Sequence, residues 1–229
     1  MTLDDTNIIL DPGPGCLVRC TSSKPRLDPA KLDGIIISHK HLDHSNDANI
    51  MIEAMTEGGF KRRGVVFAPR EALEEDPVIL KYLRGFPERL EILTEGGCYQ
   101  VGRVTFTTPH RNLHPVEAYG IRFQYSRGTV SFITDTLFYP ELPGYYRADV
   151  VVMNVVRLKP DNPQIYHLSA DCARRIVGEM KPRAAVMTHF GMTVLNAKPW
   201  ELALRMEEEL GVKVIAARDG MDLSLDEIL

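Results

Sequence analysis

The stretch Ser38-His39-Lys40-His41-Leu42-Asp43-His44 is the densest group of metal-binding side chains in the sequence, and it holds three of the seven histidines in 229 residues. It follows an apolar run that has the composition of a buried strand. In an extended backbone His39 and His41 point to the same side, so two imidazoles can bind one ion. Asp43 and His44 on the next turn offer an oxygen and a nitrogen to a second ion. The alternative is a polar loop that is rich in histidine by chance.

Apolar runs of strand length recur along the chain and indicate a sheet-forming protein. The predicted strands are Asn7–Leu10, Gly34–Ser38, Val65–Ala68, Val104–Thr108, Tyr119–Tyr125, Thr129–Ile133, Val150–Val156 and Ala184–Thr188. Two further possible metal ligands follow predicted strands. Asp135 comes after Thr129–Ile133, and His189 comes after Ala184–Thr188. A turn aspartate and a core histidine are the alternative interpretations of these two residues.

Two helices are predicted in the second half of the chain. The first has its apolar face at Ala173, Ile176, Val177 and Met180. It begins with Ser169 as the N-cap and stops at Lys181-Pro182. The second has its apolar face at Trp200, Ala203, Met206 and Leu210. It begins with Asn196 as the cap and ends at Gly211. Strands interleaved with helices predict a layered α/β sandwich that forms a single domain over residues 1–229.

The motifs together resemble those of metallo-β-lactamase-fold hydrolases. His-x-His-x-Asp-His after a strand, with Asp11-Pro-Gly-Pro-Gly15 upstream, is similar to the signature of that superfamily. Leu113–Phe123, Phe132–Thr136 and Met187–Phe190 are similar to the later segments that supply metal ligands, most closely in the ribonuclease Z and cyclic phosphodiesterase branch. The resemblance implies a four-layer αββα sandwich whose N-terminal strand region is short, since only ten residues precede Asp11.

The resemblance also implies a ligand set for two divalent transition-metal ions. One ion would take His39, His41 and His114; the other would take Asp43, His44 and His189; Asp135 would bridge them. Zinc is the expected metal, and manganese or iron would also fit a site of imidazoles and carboxylates. A hydroxide shared by the two cations is the expected nucleophile. Asp43 and His167 are the candidate catalytic residues, His167 through contact with a phosphate or proton transfer to the leaving group.

Two histidines near these motifs have more than one interpretation. His110 lies in the same loop as His114 and could replace it as a ligand, although the sequence after His114 matches the superfamily. His167 could instead be a packing or capping histidine at the start of the helix that Ser169 opens. Asp11 is expected to orient one of the metal-binding histidines.

The composition of the chain limits the kinds of substrate and partner that are expected. The net charge is −4 with both signs interspersed, and no basic glycine-rich arm is present, so nucleic acid is not the expected substrate. No apolar run approaches the roughly 20 residues of a membrane helix, and the expected location is the cytoplasm. Cys16, Cys20, Cys98 and Cys172 do not have metal-site spacing and are expected to be free thiols.

Two departures from the superfamily generate further expectations. The short region before Asp11 would leave a sheet edge that needs cover, so a homodimer or a covering segment is predicted. Thr134 stands where a glycine is common before the bridging aspartate, which could alter the loop but not the ligand.

Three functions compete. The first is hydrolysis of a small phosphodiester, favoured by the segment of His114 and by the spacing of His167 and His189. The second is hydrolysis of a lactone, thioester or other carboxylic ester, since the same nucleophile attacks a carbonyl. The third is a metal-binding or redox protein that hydrolyses nothing; the complete ligand set and the residues Leu42 and Asp43 after His41 argue against it.

Overall fold

The structure is a computed structural model that describes residues 1–74, 76–160, 162 and 164–228. The chain forms two compact units. The first unit consists of Met1–Thr108 and Val116–Tyr119, and the second consists of Pro109–Pro115 and the described part of Gly120–Leu229. In the described residues, no helix is both long enough and apolar enough to cross a membrane.

A five-stranded sheet and one hairpin make up the strands of the first unit. The sheet contains, in spatial order, β1 (Thr2–Leu3), β2 (Thr6–Leu10), β3 (Gly34–Ile36), β4 (Val65–Pro69) and β5 (Arg89–Leu93). Strand β1 is antiparallel to β2, and the remaining neighbours are parallel. The hairpin pairs β6 (Gly97–Val101) with β7 (Val104–Thr108). The two short strands β1 and β2 therefore precede Asp11.

One helix packs its apolar face into the core beside this sheet. The helices of the first unit are α1 (Cys16–Ser22), α2 (Leu42–Ser45) and α3 (Ala48–Met55). Helix α3 buries Ala48, Met51, Ile52 and Met55. This spacing is that of a single helical face. The face packs in one cluster with apolar residues of β3 and β4, among them Ile35 and Val66.

The second unit has a mainly parallel sheet with helices packed on it. Its strands are β8 (Ile121–Tyr125), β9 (Gly128–Ile133), β10 (Val150–Arg157), β11 (Leu168–Ser169), β12 (Ala184–Thr188) and β13 (Lys213–Ala216). The spatial order is β13-β12-β10-β9-β8, with β8 antiparallel to β9 and β11 beside β10. The helices are α4 (Leu142–Tyr145), α5 (Ala170–Met180), α6 (Met192–Asn196), α7 (Pro199–Leu210) and α8 (Leu225–Ile228). Helices α5 and α7 bury their apolar faces in a cluster with β10 and β12.

The predicted strands are all present, with small shifts at their ends. The strand predicted for Gly34–Ser38 ends at Ile36, and the strand predicted from Tyr119 begins at Ile121. Ser169 is the N-cap of α5, where its side chain accepts a hydrogen bond from the backbone N–H of Cys172. Lys181 ends the same helix in the left-handed conformation. These helix boundaries are confirmed.

Two features of the second predicted helix are wrong. Asn196 is not its N-cap, because Asn196 is the last residue of α6 and Lys198 precedes α7. The five-residue helix α6 intervenes because Gly191 gives the chain an extended residue from which a short helix can begin. Trp200 is 63% exposed, so it does not share the buried face of Ala203 and Met206.

Gly211 and Gly178 provide a test of how the second unit is stabilised. Gly211 ends α7 at φ +64, a conformation that costs an L-residue about 1–2 kcal/mol, so Gly211→Ala is expected to lower the free energy of unfolding by that amount. Gly178 lies inside α5, where an added Cβ would meet Leu210 at an ordinary 3.6 Å. Gly178→Ala is therefore expected to raise the free energy of unfolding by about 0.5–1 kcal/mol. Urea denaturation of both variants measures the two changes in the free energy of unfolding. Changes of the same sign would contradict this account.

Candidate metal centre

The histidine-rich turn lies directly behind the central strand of the first unit. Strand β3 ends at Ile36, and Ser38 and His39 follow it fully buried. His41 keeps an extended conformation and stands immediately before α2, which carries Asp43 and His44. The chain thus changes from strand to helix within the motif. All four of its predicted ligands belong to this one turn.

A single carboxylate orders this turn. Asp11 accepts hydrogen bonds from the backbone N–H of Ser38 at 2.6 Å and from the Ser38 hydroxyl at 2.7 Å. Its Oδ2 also lies 2.8 Å from His44 Nδ1. Asp11 has φ +52, and at Gly13 an added Cβ would overlap the carbonyl oxygen of Asp43. The Asp-x-Gly turn therefore packs so closely against α2 that a side chain cannot fit between them.

These contacts define which nitrogen each of two histidines offers to a ligand. An ionised Asp11 only accepts, so His44 Nδ1 carries the proton that faces it. The Ser38 hydroxyl uses its proton on Asp11, so its contact with His39 Nδ1 at 2.9 Å requires that nitrogen to donate. In both imidazoles Nε2 is then the nitrogen with the lone pair. Metal-binding histidines commonly donate the N–H of the other ring nitrogen to a carboxylate, a backbone carbonyl or water, and the contact of His44 with Asp11 follows this pattern.

The spacing of His39 and His41 fits a shared ion. His39 Nε2 lies 3.1 Å from His41 Nδ1. Two lone pairs at this distance repel unless a proton or a cation lies between them. Two nitrogens bound tetrahedrally to one zinc lie roughly 3.3 Å apart, given zinc–nitrogen bonds of about 2.0–2.1 Å. His44 packs against the same His39 ring, with ring centroids 4.1 Å apart. The donors present in the first unit therefore fit a divalent transition metal.

Asp11 also belongs, with His39 and His44, to a group whose potential ligand atoms all lie within 4.8 Å of one another. The hydrogen bonds that Asp11 accepts from Ser38 and His44 use both of its oxygens. The orienting role predicted from the sequence agrees with these contacts better than a ligand role.

In the second unit the ends of parallel strands bring the polar residues together. Strands β9 and β12 both pair with β10, in registers that match Ile133 with Met153 and Met153 with Met187. Parallel strands end at the same edge of a sheet, so the residues that follow them are neighbours. Asp135 follows β9 and His189 follows β12, as predicted. His189 has φ +57, which turns the chain sharply away from the strand.

Asp135 is buried and held on several sides. Only 1% of its side chain is exposed. The Asn154 amide donates to its Oδ1 at 2.8 Å, and its Oδ2 lies 3.4 Å from His167 Nδ1. The backbone carbonyl of Asp135 accepts from the Asn112 amide at 3.1 Å. An ionised carboxylate needs such compensation when it leaves water.

His167 occupies the middle of a row of three imidazoles. Its ring centroid is 5.6 Å from that of His114 and 6.3 Å from that of His189. His114 Nδ1 lies 3.2 Å from the backbone carbonyl of Tyr166, a contact that orients the ring. His167 is not the cap of α5, because Ser169 makes that cap.

His110 has different surroundings within the same loop. Its ring stacks on Tyr145 at 4.6 Å and meets Tyr139 edge-on at 5.5 Å. Its backbone carbonyl accepts from the Tyr146 hydroxyl. His110 thus packs in an aromatic cluster, whereas His114 packs beside His167.

Sequence reasoning missed three residues that hold the predicted ligands. Ser38 was noted only as the residue before His39, yet it links Asp11 to that histidine. Asn154 interrupts the apolar run from Val150 to Val156, and this polar residue was the signal that could have revealed it. Asn112 is 3% exposed and precedes His114 by two residues, and its burial has no signal in the sequence.

The cysteines take no part in these contacts. All four are free, as predicted. Burial raises the pKa of the Cys16 thiol to about 12, and the nearby Cys20 adds to the shift. At neutral pH this thiol is protonated and is therefore a poor nucleophile.

Comparisons with known proteins agree with the motifs. A family model described as a β-lactamase superfamily domain matches residues 6–190. The uncharacterized protein MJ1374 of Methanocaldococcus jannaschii is 30% identical over 224 residues, which cover 94% of this chain and 82% of that protein. The chain belongs to the β-lactamase superfamily.

Solved structures show the same fold. The metallo-β-lactamase fold protein YhfI from Bacillus subtilis superposes with a TM-score of 0.78 at 20% identity, over 93% of this chain and 85% of that chain. A diphosphatase from the PhnP family superposes with a TM-score of 0.71 at 19% identity, over 96% of this chain and 81% of that chain. The α/β fold of the metallo-β-lactamase type is thus confirmed. The superfamily that was predicted from the motifs, a class of metal-dependent hydrolases, is confirmed as well.

Asp11→Asn tests the role of the ordering carboxylate. Asparagine has the same shape and tolerates the positive φ at this position, but it removes the charge that His44 and Ser38 face. Loss of such an orienting partner is expected to lower metal affinity about 10- to 100-fold. Asp5→Asn is the matched control, because Asp5 also has a positive φ and its side chain is 90% exposed. Metal titration against a chelator measures both variants; equal affinities would contradict the role of Asp11.

Proposed function

We propose that this chain is a single-domain hydrolase with a dinuclear metal centre that cleaves small phosphodiesters. The family model spans both compact units, which supports one domain. The observation that carries the proposal is the 3.1 Å separation of His39 Nε2 and His41 Nδ1, together with the fixed tautomer of His39. That arrangement suits two ligands of one cation.

The proposed ligand set is the one that the superfamily motifs imply. His39, His41 and His114 would hold one ion, Asp43, His44 and His189 would hold the other, and Asp135 would serve both. The support is the order of the superfamily motifs together with the surroundings of each donor within its own unit. His114 is preferred to His110 because His114 lies in the row of imidazoles. Zinc is the proposed metal, with manganese and iron as alternatives.

The chain's own residues position the substrate and move protons. Bound divalent cations supply Lewis acidity and activate water for attack at neutral pH. His167 has Nδ1 buried beside Asp135, while 22% of its side chain remains exposed. We therefore assign its Nε2 to proton donation to the leaving oxygen. Asp43, with 59% of its side chain exposed, is proposed both as a ligand and as a group that contacts the attacking water.

Phosphodiesters are favoured over carboxylic esters for two reasons. His167 is an imidazole beyond the proposed ligand set, and a poor alkoxide leaving group needs such a proton donor. The similar diphosphatase from the PhnP family is, by its name, an enzyme of phosphoryl chemistry. Lactones and thioesters, whose carbonyl the same nucleophile can attack, are the alternative substrates.

A panel of substrates tests the reaction class. The metal-loaded protein is expected to hydrolyse bis(p-nitrophenyl) phosphate, to lose this activity on chelation and to regain it with zinc or manganese. His39→Ala and Asp135→Ala are expected to lower kcat by at least about 100-fold, since each removes a proposed ligand of the cations that would stabilise developing charge. His110→Ala is the control and is expected to retain activity. Hydrolysis of lactones or thioesters without any phosphodiesterase activity would contradict the proposed substrate class.

The role of His167 depends on the leaving group. For a phosphodiester with an alkyl leaving group, His167→Ala is expected to lower kcat by about 10²- to 10⁴-fold, because the departing alkoxide needs a proton. For p-nitrophenolate, a stable anion, the loss should be much smaller. Steady-state kinetics on both substrates measure the difference, and equal losses would assign His167 a structural role.

Two predictions about the protein in the cell stay predictions. The cytoplasmic location is inferred from composition. The homodimer is inferred from the need to cover a sheet edge, and in the structure the strand at that edge is the two-residue β1.

A further inference from the structure

Asn154 is a polar residue at a central place in the second unit. It lies on β10, between the two strands whose ends carry Asp135 and His189, and it pairs with Thr188. Its neighbours Met153 and Val155 enter the apolar core that the helices cover. Asn154 therefore projects from the opposite face of the strand, on the level at which the parallel strands end.

The two carboxylate oxygens of Asp135 have different neighbours. Asn154 Nδ2 donates to Oδ1 at 2.8 Å. The assignment of nitrogen to this contact follows from chemistry, since an ionised carboxylate only accepts. The other oxygen, Oδ2, lies 3.4 Å from His167 Nδ1. Oδ1 thus accepts a short hydrogen bond from a neutral amide, whereas the nearest imidazole nitrogen lies farther from Oδ2.

The backbone next to this carboxylate is fixed independently. Asn112 Nδ2 donates to the backbone carbonyl oxygen of Asp135 at 3.1 Å and to the Thr134 hydroxyl at 3.0 Å. The Leu113 N–H donates to the Thr136 hydroxyl at 3.1 Å. With the loop held in this way, the orientation of the Asp135 carboxylate depends on its own side-chain torsions. Asn154 is the neutral donor that sets them.

We propose that Asn154 is a positioning residue that holds Asp135 Oδ1 and thereby presents Oδ2 to the metal ions. This inference rests on the proposed function, in which Asp135 is a ligand. A neutral amide suits the task because it fixes the carboxylate without neutralising its charge, whereas a lysine or arginine would compete with the cations for it. Asn154 binds neither metal nor substrate.

Three variants separate this role from packing. Asn154→Leu keeps the volume but removes the donor, and Asn154→Ala removes both. Val152→Ala is the matched control, because Val152 lies on the same face of β10 two residues earlier. Zinc affinity is measured by competition with a chelator, and the Co²⁺-substituted proteins are compared by their visible absorption spectra. Thermal unfolding of the metal-free proteins reports changes in folding alone.

Both Asn154 variants are expected to bind zinc about 10- to 100-fold more weakly and to change the Co²⁺ spectrum, as orienting partners of metal ligands typically do. Val152→Ala is expected to change neither, even if it lowers the unfolding temperature. Wild-type zinc affinity and Co²⁺ spectrum in Asn154→Leu would overturn the inference and indicate a packing role.

The same experiments keep this inference distinct from the proposed function. A wild-type protein that binds zinc but hydrolyses no phosphodiester contradicts the proposed reaction and leaves the Asn154 measurement interpretable. A wild-type protein that binds no divalent metal contradicts both.

Discussion

The hydrogen bonds that Asp11 accepts are the constraint on which the histidine-rich turn depends. One carboxylate satisfies the Ser38 backbone, the Ser38 hydroxyl and the His44 ring. Through the serine it also determines where the proton of His39 resides. The glycine two residues later is required because α2 approaches this turn at backbone distance. Strand, turn and helix are therefore arranged around a single, partly buried carboxylate, and the donors take their orientation from it.

The second unit orients its proposed ligand with a hydrogen-bond donor, whereas the first unit uses an acceptor. In the first unit the proposed ligands are mostly imidazoles, whose outer nitrogen needs an acceptor, and the acceptor is Asp11. In the second unit a buried carboxylate needs a donor, and the donor is the amide of Asn154, while the amide of Asn112 holds the backbone carbonyl of the same aspartate. An imidazole is thus oriented by an anion and a carboxylate by a neutral amide. Each arrangement leaves a lone pair of the proposed ligand available to a cation.

Sequence patterns predicted some elements of the fold and missed others. Eight β-strands were predicted from short apolar runs, whereas β1, β5, β6, β11 and β13 were not. The cap of α5 was predictable because Ser169 has the right spacing. The extra helix α6 was missed, since five residues are too few to show a helical period. The exposure of Trp200 was missed because periodicity assigns a residue to a face but does not measure how far that face is covered.

The residues that orient the ligands were harder to predict than the ligands. His39, His41 and Asp135 belong to recognisable motifs. Ser38, Asn112 and Asn154 act through contacts between segments that are distant in sequence, up to 27 residues apart for Ser38 and Asp11. Such contacts depend on strand register, which a single sequence does not determine.

The segment between Asp135 and β10 has a consequence for the evolution of this chain. It contains α4 and the tyrosines that pack on His110, but none of the proposed ligands. Because Asn112 and Asn154 hold Asp135 from other elements, exchanges within α4 itself would leave these two hydrogen bonds in place. Descendants of such a chain can therefore vary the sequence of this helix while they keep the two amides that hold Asp135.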